Sequence, residues 1–414
     1  MSVGDYERFW KVPNMTNNRL KTLVVIDSMS VGGIATSLYN FLKYTDERLA
    51  CDLLVFDPDS VDVSRLPEGV QLLPHAKELQ MLGVCQRDYQ KKKPLLALYR
   101  AGLVLCAKVI SGEFARRILF ATSKKIRNYD LAISFAHDNG WKVLSKGCID
   151  FVVDKVEAVC KVGFIHCDYS NYGGYDPRQE KKLSKLDAIA CVSDSCTERF
   201  ASVFPNLRSQ CITCENFADV EAVCQKSEPA VSYPADKVNF VTVCRLGEEK
   251  GLLRTVEVFA ELYRDGHQNF TWTIVGGGPE EACLREAVVA NGLEGLIIFA
   301  GERRNPYPYI KNASVFLLPS IHEAAPMVFG ESIVLNVPIL TTNTCSAVEL
   351  VKDRNVGIVV DNSQEGIKAG VQKILDDPSV LDEIIISADQ INKHANQQVD
   401  AMVALARATF GDFK

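Results

Sequence analysis

One stretch of the chain, from Val315 to Leu340, constrains the fold more than any other. It reads VFLLPSIHEAAPMVFGESIVLNVPIL and begins with four apolar residues, a length and composition typical of a buried strand. The proline at position 326 then permits a helix to begin, because proline fits the first helical turn. The run from Val337 to Leu340 starts another strand. A strand, a loop, a helix and a strand in so few residues predict a parallel βαβ unit.

Two glutamates of this unit, Glu323 and Glu331, are candidate ligand-binding residues. The first follows the predicted strand, and the second lies about one turn inside the predicted helix. Ligands of open parallel sheets bind at the carboxyl ends of the strands. The free N–H groups at the helix start, near Met327 and Val328, favour a phosphate or sugar oxygens. The unit suits a ligand with a phosphate and several hydroxyls; the alternative interpretation is two solvated glutamates.

Length and composition predict a multidomain globular protein. A chain of 414 residues suggests two or three domains, and 47% apolar with 24% charged residues is typical of soluble proteins. A net charge of −6 argues against nucleic acid as a partner. The sequence has no apolar run of transmembrane length and no apolar core in its first residues typical of a signal peptide. We therefore expect a cytoplasmic protein.

The cysteines support the same compartment. Fourteen cysteines without a secretory signal indicate free thiols in a reducing environment. Cys211 and Cys214 have C-x-x-C spacing, but no second pair of close ligands is placed for zinc. A redox pair would normally open a helix after a strand. We interpret both as ordinary strand residues.

Polar residues follow several predicted strands of the first half. A strand from Thr22 to Asp27 leads to Gly32 and Gly33, whose small size permits close approach of an anion at a helix start. The pair lacks the G-x-G-x-x-G pattern, so a nicotinamide oxidoreductase is disfavoured. His166 follows a strand from Val159 to Ile165 and is placed to contact a ligand, although a lone histidine is more often structural.

Asp57 and Asp59 form an acidic pair that resembles a metal site. Carboxylate oxygens at D-x-D spacing would suit a divalent cation with a nucleotide diphosphate. Aspartate and proline also favour turns, and we interpret Asp57-Pro58-Asp59 as a turn after the second strand. No metal is expected.

The second half restarts the strand-and-helix pattern. A polar segment, 219–237, reads as a linker, and a strand from Val238 to Val243 follows it. Arg245 and Lys250 come next, and two cations at the carboxyl end of a strand suit a diphosphate. A later strand leads into a glycine turn that contains Gly276 and Gly277.

Residues 91–127 are unusually basic. They contain ten lysines and arginines and one acidic residue, Glu113, so the local charge is +9. Apolar residues lie between the cations, a composition that fits an anionic membrane surface. The alternative is a helix pair that packs on the sheet and turns a basic face to water.

The motif S-x-x-E-x-x-P-x-x-x-x-E, formed by Ser320, Glu323, Pro326 and Glu331, resembles the signature of retaining glycosyltransferases of the GT-B fold, family 4. Arg245 and Lys250 match the R-x-x-x-x-K-G pattern of that family, in the same order relative to the glutamates.

Three positions depart from the family pattern. Ala324 and Ser332 replace a Gly and an Ala directly after the two glutamates, and Asn336 replaces a later Gly. Each change is small for small or compatible with a turn, so the resemblance stands.

The resemblance implies an α/β fold of the GT-B type, with two Rossmann-like doubly wound parallel-sheet domains facing a cleft. We predict an N-terminal acceptor domain over 1–218, the linker 219–237, a nucleotide-sugar domain over 238–392 and a helix over 393–414 that crosses back to the first domain.

The resemblance also implies the site. Glu323 and His166 are the expected catalytic residues, beside the donor sugar, and Glu331 is expected to hold the ribose hydroxyls. The residues expected to bind the donor are Gly32, Gly33, Arg245, Lys250, Gly276, Gly277, Pro326, Met327, Val328 and Glu331.

The implied activity is a retaining, metal-independent transfer of a hexose from a nucleotide-diphosphate sugar to a glycan or lipid-linked acceptor in cell-surface polysaccharide synthesis. The donor is a UDP-, GDP- or ADP-sugar, with UDP favoured, and no further cofactor is expected. The cytoplasmic protein would be peripheral on the inner face of the cell membrane if 91–127 docks there. The alternatives are a sugar-nucleotide epimerase or hydrolase and a non-catalytic sugar-nucleotide-binding scaffold.

Overall fold

The computed structural model describes residues 19–30, 32–45, 48–74, 77–84, 94–140, 142–171, 174–228, 231–384 and 389–411. The chain separates into two compact units. Unit 1 comprises 1–192, 197–216 and 395–414, and unit 2 comprises 193–196 and 217–394. Each unit is built on one parallel sheet.

The sheet of unit 1 has seven strands in the order β3-β2-β1-β4-β5-β6-β7. They are β1 (Leu20–Ser28), β2 (Leu49–Asp57), β3 (Gln71–Leu72), β4 (Ile126–Ser134), β5 (Val156–Ile165), β6 (Ala188–Cys191) and β7 (Cys211–Thr213). The helices of this part of the chain are α1 (Gly33–Tyr44), α2 (Gln80–Gly83), α3 (Pro94–Val109), α4 (Gly112–Phe120), α5 (Cys148–Lys155), α6 (Pro177–Leu183) and α7 (Asp194–Val203).

The central strands of unit 1 are covered on both faces. Leu23, Val24, Val25 and Ile26 follow one another in β1 and none exposes any of its surface. Side chains of a strand alternate between the two faces, so a continuous apolar run is what a doubly covered parallel sheet requires.

The sheet of unit 2 has six strands in the order β10-β9-β8-β11-β12-β13. They are β8 (Val238–Val243), β9 (Phe270–Val275), β10 (Ile297–Gly301), β11 (Val315–Leu318), β12 (Ile339–Thr342) and β13 (Gly357–Val360). The helices are α8 (Val220–Lys226), α9 (Leu252–Arg264), α10 (Glu281–Ala290), α11 (Tyr307–Lys311), α12 (Met327–Val334), α13 (Gln364–Asp376) and α14 (Asp389–Gly411). The strand order reverses between β8 and β11, the position at which doubly wound sheets bind their ligands.

An apolar cluster fills each face of this second sheet. One cluster is built around Phe240, Phe259 and Trp272, and the other around Phe316 and Phe329. The Trp272 indole stacks on Phe259 at 5.1 Å between ring centroids. The β11–α12–β12 unit predicted from the sequence therefore lies in the middle of a three-layer arrangement, with β11 paired to both β8 and β12.

The predicted linker 219–237 contains a helix. The Asp219 carboxylate caps α8 by accepting from the Ala222 N–H at 3.1 Å. Val223 of this helix is buried in the Phe316 cluster. The segment thus packs as part of unit 2 from residue 217 onward.

The C-terminal helix α14 belongs to unit 1 from residue 395 onward. There the Arg48 guanidinium donates to the Asn396 side-chain oxygen at 2.7 Å and to the Asp400 carboxylate at 2.9 Å. Within the described residues, no helix combines the length and the apolar character needed to cross a bilayer.

Candidate functional site

A lysine and a glutamate form an ion pair at the switch point of the unit 2 sheet, where the strand order reverses. Lys250 ends a short 3-10 helix, Glu248–Lys250, after β8, and Glu323 lies in the loop after β11. Lys250 Nζ donates to Glu323 Oε1 at 2.6 Å, and Ser320 Oγ donates to the same oxygen at 2.8 Å. Two residues 73 positions apart thus meet because β8 and β11 are neighbours in the sheet.

The ion pair is largely shielded from water. The side chain of Lys250 exposes 19% of its surface and that of Glu323 12%. Burial by itself would lower the pKa of Lys250, but the Glu323 carboxylate outweighs it and raises the pKa above the ordinary value. Lys250 is therefore a fixed cation at the carboxyl end of the sheet.

Glu331 is a buried carboxyl group in the middle of α12. It exposes 8% of its surface, and burial raises its pKa to about 7. The Tyr307 hydroxyl donates to Glu331 Oε1 at 3.4 Å and opposes that rise. At neutral pH Glu331 is therefore close to the midpoint between its protonated and ionised forms. Hydrogen bonds from hydroxyl donors would favour the ionised form.

The start of α12 presents backbone donors beside these carboxylates. Pro326 is the N-cap, with φ −65° and ψ 128°, and has no side-chain cap. The N–H groups of Met327 and Val328 are the first of the helix, so the helix itself provides no acceptor for them. The Phe329 N–H is turned back to the Pro326 carbonyl at 3.2 Å.

Arg245 and the glycine turn lie together after β8 and β9. Arg245 is exposed in the loop after β8. Gly276 has φ +147°, and a Cβ at this position would lie 1.9 Å from the Cys244 carbonyl oxygen, so only glycine fits. The Gly277 carbonyl accepts from the Leu246 N–H at 3.0 Å. The turn is therefore pressed against the loop that carries Arg245.

The remaining predicted site residues belong to unit 1. Gly32 is the exposed N-cap of α1, and Gly33 is the first residue of that helix. His166 follows β5. The expectation that a cleft joins them to the unit 2 residues remains a prediction.

His166 has a defined tautomer. Its Nε2 lies 2.9 Å from the Phe135 carbonyl oxygen, and since a carbonyl only accepts, Nε2 carries the proton. The ring stacks on Phe164 at 5.6 Å. Burial lowers the pKa of His166 to about 4, so the imidazole is neutral at pH 7.

His137 and Lys146 adjoin His166. His137 Nδ1 lies 3.4 Å from the His166 backbone nitrogen, and Lys146 Nζ lies 3.3 Å from His137 Nε2. Burial lowers the pKa of His137 well below its ordinary value. Lys146 has φ +67°, a conformation that costs a non-glycine residue free energy. No motif marks it in the sequence.

The basic segment does not form a uniform basic surface. Arg116 exposes 3% of its surface and binds the buried Asp150 carboxylate at 2.7 Å, and Lys182 binds the other oxygen of Asp150 at 2.9 Å. The exposed Arg117 pairs with Glu113 at 3.0 Å. Residues 91–93 lie outside the described residues.

Metal ligands do not cluster in the described part of the chain, where no group of three His, Cys, Asp or Glu side chains is placed around a common point. Asp57 ends β2, and Pro58–Ser60 forms a 3-10 turn, as the turn interpretation predicts. Cys211 is in β7 and Cys214 is buried just after it, both as free thiols.

The class of fold follows from the two sheets. Two Rossmann-like parallel sheets in one chain fit the GT-B fold, and solved structures of that fold match nearly the whole chain. Anabaena Alr3699/HepE in complex with UDP and glucose has a TM-score of 0.60 at 14% identity, over 93% of this chain and 100% of that one.

A family model gives a more specific comparison than the fold does. Residues 225–397 match the family model of glycosyl transferases group 1. The matched residues include β8, β11 and α12, and with them Lys250, Glu323 and Glu331.

Two curated relatives share part of their length with the chain. The lipopolysaccharide core biosynthesis glycosyltransferase LpsE of Rhizobium meliloti is 24% identical over 51% of this chain and 60% of its own length. The 2-deoxystreptamine glucosyltransferase of Streptomyces kanamyceticus is 30% identical over 34% of this chain and 38% of its own length. The chain spans less than two thirds of either relative.

Proposed function

We propose that the protein is a retaining, metal-independent glycosyltransferase of family 4 that moves a hexose from a nucleotide-diphosphate sugar to a glycan or lipid-linked acceptor. The observation that carries the proposal is the Lys250–Glu323 pair at 2.6 Å, placed at the sheet switch point in the same βαβ unit as the buried Glu331.

The leaving diphosphate needs positive charge as its bond to the sugar breaks. Lys250 and Arg245 follow the same strand, and the Met327 and Val328 amides point from the start of α12. Fixed cations and a helix N-terminus stabilise developing negative charge without reorganisation. These groups supply the charge that a divalent cation would otherwise bring, which is the basis for proposing metal independence.

The two glutamates have different roles in the proposal. Glu331 accepts hydrogen bonds from the ribose hydroxyls, because its buried carboxyl group gains most from donors. Glu323, oriented by Lys250 and Ser320, lies beside the donor sugar. His166 is neutral and hydrogen-bonds a sugar hydroxyl without adding charge.

The transfer proceeds on one face of the donor sugar. The bond from the anomeric carbon to the diphosphate oxygen breaks, the acceptor oxygen bonds to that carbon on the same face, and the acceptor proton passes to the departing phosphate oxygen. Protein side chains position and stabilise these groups, and none acts as a nucleophile.

The acceptor is proposed from the relatives. LpsE is named for lipopolysaccharide core biosynthesis, and WcaL of Escherichia coli, 27% identical over 41% of this chain and 44% of its own length, for colanic acid biosynthesis. A cell-surface glycan or its lipid-linked precursor fits both names. UDP is favoured as the nucleotide because the HepE structure contains UDP and glucose. A cytoplasmic enzyme at the inner face of the membrane completes the proposal.

Donor binding is the first test. Thermal midpoints of the wild type, Glu331→Gln and the exposed control Glu286→Gln are measured with UDP-, GDP- and ADP-sugars, with and without EDTA. A ligand that binds only the folded protein raises the midpoint. We expect one nucleotide class to raise it, equally with EDTA, in the wild type and the control, and less in Glu331→Gln. No shift with any donor would overturn the proposal, and a shift lost with EDTA would overturn metal independence.

Product stereochemistry is the second test. The anomeric configuration of the product, read by NMR, is expected to equal that of the donor. An inverted product would exclude the same-face mechanism. Free sugar or an epimerised nucleotide sugar formed without acceptor would indicate a hydrolase or an epimerase instead.

A further inference from the structure

Nine large apolar side chains on α3, α4 and their connection are exposed to solvent. Leu95, Leu98 and Val109 expose 83%, 73% and 72% of their surface. The whole set, here called the α3–α4 apolar face, is Leu95, Leu96, Leu98, Tyr99, Leu105, Val109, Ile110, Phe114 and Ile118. Monomeric proteins rarely expose so many large apolar side chains on neighbouring helices unless the surface binds something.

The α3–α4 apolar face is separate from the side of α3 that packs against unit 1. Ala97, Leu103 and Ala107 are buried on the opposite side of the helix, and the Arg100 guanidinium donates to the Met81 carbonyl at 2.8 Å. One side of α3 is thus fixed to unit 1, and the other is equally apolar. A helix that is apolar on all sides normally has both sides buried away from water.

The charges on α3 have one sign, and Glu113 is the acidic residue in the first turn of α4. The chain has no Asp or Glu between Pro94 and Gly112. Lys108 on α3 and Lys124 after α4 are exposed, whereas Arg116 and Arg117 are engaged with carboxylates inside unit 1 or on its surface. The membrane hypothesis from composition therefore needs revision: apolar contact supplies the main attraction, and the few unengaged cations form a rim.

We propose that the α3–α4 apolar face inserts into the headgroup region of an anionic lipid bilayer. Leucine, isoleucine, valine and phenylalanine on one side of a helix pair with a lysine rim have the composition of interfacial helices. Protein interfaces instead concentrate Tyr, Trp and Arg at their centres, and this face has one Tyr and no Trp or Arg. The inference is independent of the transfer reaction proposed above.

The test is vesicle flotation of the full chain with phosphatidylcholine alone and with phosphatidylcholine mixed with phosphatidylglycerol. The variant Leu95→Gln/Leu98→Gln/Leu105→Gln/Val109→Gln changes exposed side chains only. The matched control Val63→Gln/Val289→Gln/Ile298→Gln changes exposed apolar residues elsewhere. Circular dichroism and the thermal midpoint establish that all proteins are folded.

We expect the wild type and the control to float with the anionic vesicles, and the four-residue variant to lose roughly tenfold or more in partitioning. Lys108→Gln/Lys124→Gln is expected to lose about fivefold per cation on anionic vesicles. Equal flotation of the four-residue variant and the wild type would overturn the proposal. So would a wild type that does not float but sediments as a dimer that the variant dissociates, because a second copy would then cover the face.

Discussion

At the scale of single residues, the buried Glu331 couples stability to pH. Its pKa rises from 4.5 to about 7 because burial disfavours the carboxylate. Between these two values the folded protein holds a proton that the unfolded chain has released. Stability therefore falls as pH rises through this window, and the full cost is present above about pH 7.

Glu331→Gln is accordingly expected to stabilise the ligand-free protein above neutral pH. The gain approaches on the order of 3 kcal/mol at about pH 8, because the variant removes a buried charge, and it shrinks toward zero near about pH 4.5. Thermal midpoints across this range measure it, with the exposed Glu286→Gln as control. A difference that does not change with pH would show that Glu331 is not the titrating group.

Lys250 and Glu323 are expected to depend on each other. Removing one partner leaves a shielded charge uncompensated, so Lys250→Met and Glu323→Gln each destabilise, and the double variant recovers part of the loss. A double-mutant cycle in urea should give a coupling of about 1–3 kcal/mol. The exposed pair Arg208–Glu198 should give about 1 kcal/mol or less. Purely additive effects at Lys250 and Glu323 would contradict the pairing.

At the scale of elements, the start of α12 can be tested one amide at a time. Met327→Pro removes the first N–H of the helix, and both the helix position and the extended Pro326 before it accept proline. We expect the donor to bind several-fold more weakly while the melting midpoint stays close to that of the wild type. Met327→Ala, which keeps the N–H and shortens the side chain, is the control. Equal affinities of the two variants would exclude a role for this amide.

The end of α12 explains a departure from the family pattern. Asn336 has φ +58°, the left-handed conformation that glycine adopts without cost. Asparagine is among the residues that tolerate this conformation best, so it can stand where the family has glycine. The substitution in the sequence thus preserves the turn between α12 and β12.

Strands could be predicted from the sequence, but side-chain partners could not. The apolar runs of β11 and β12 and the turn residues between them give the βαβ unit directly. The pKa of Glu331 is raised by burial and opposed by Tyr307, 24 positions away, with no motif to link the two residues. Helix α8 was missed because it lies in a segment that reads as a linker from its Pro229 and Pro234, whereas its place depends on the burial of Val223.

At the scale of the whole molecule, the cysteines define how the protein responds to thiol reagents. Burial raises the pKa of Cys148 and Cys214 well above the ordinary value, and most other thiols of the described residues are at least partly covered. Cys224 and Cys283 are exposed. A buried, protonated thiol reacts slowly.

Ellman's reagent should therefore modify the native protein in fast and slow phases. We expect Cys224→Ser/Cys283→Ser to remove two equivalents from the fast phase and to leave the slow phase unchanged. The unfolded chain should react completely, with fourteen equivalents in the wild type. Rapid reaction of all fourteen in the native protein would contradict the packing of both units.

Which charged residues face water was also only partly predictable from the sequence. Composition located the basic segment correctly, but Arg116 is neutralised by Asp150, 34 positions later, and is not on the surface. Composition counts charges without their partners, and the fold decides which of them face water. The apolar residues of the same segment are in part exposed, a distribution that composition alone does not give.

The half-protonated state of Glu331 has a consequence for calorimetry. If the ribose hydroxyls hydrogen-bond its carboxylate, binding lowers the affinity of this group for its proton, and the proton passes to the buffer. The enthalpy of nucleotide binding near neutral pH would then vary with the ionisation enthalpy of the buffer, and the apparent affinity would increase with pH up to about pH 7. The enzyme would exchange a proton for its donor substrate before any sugar is transferred.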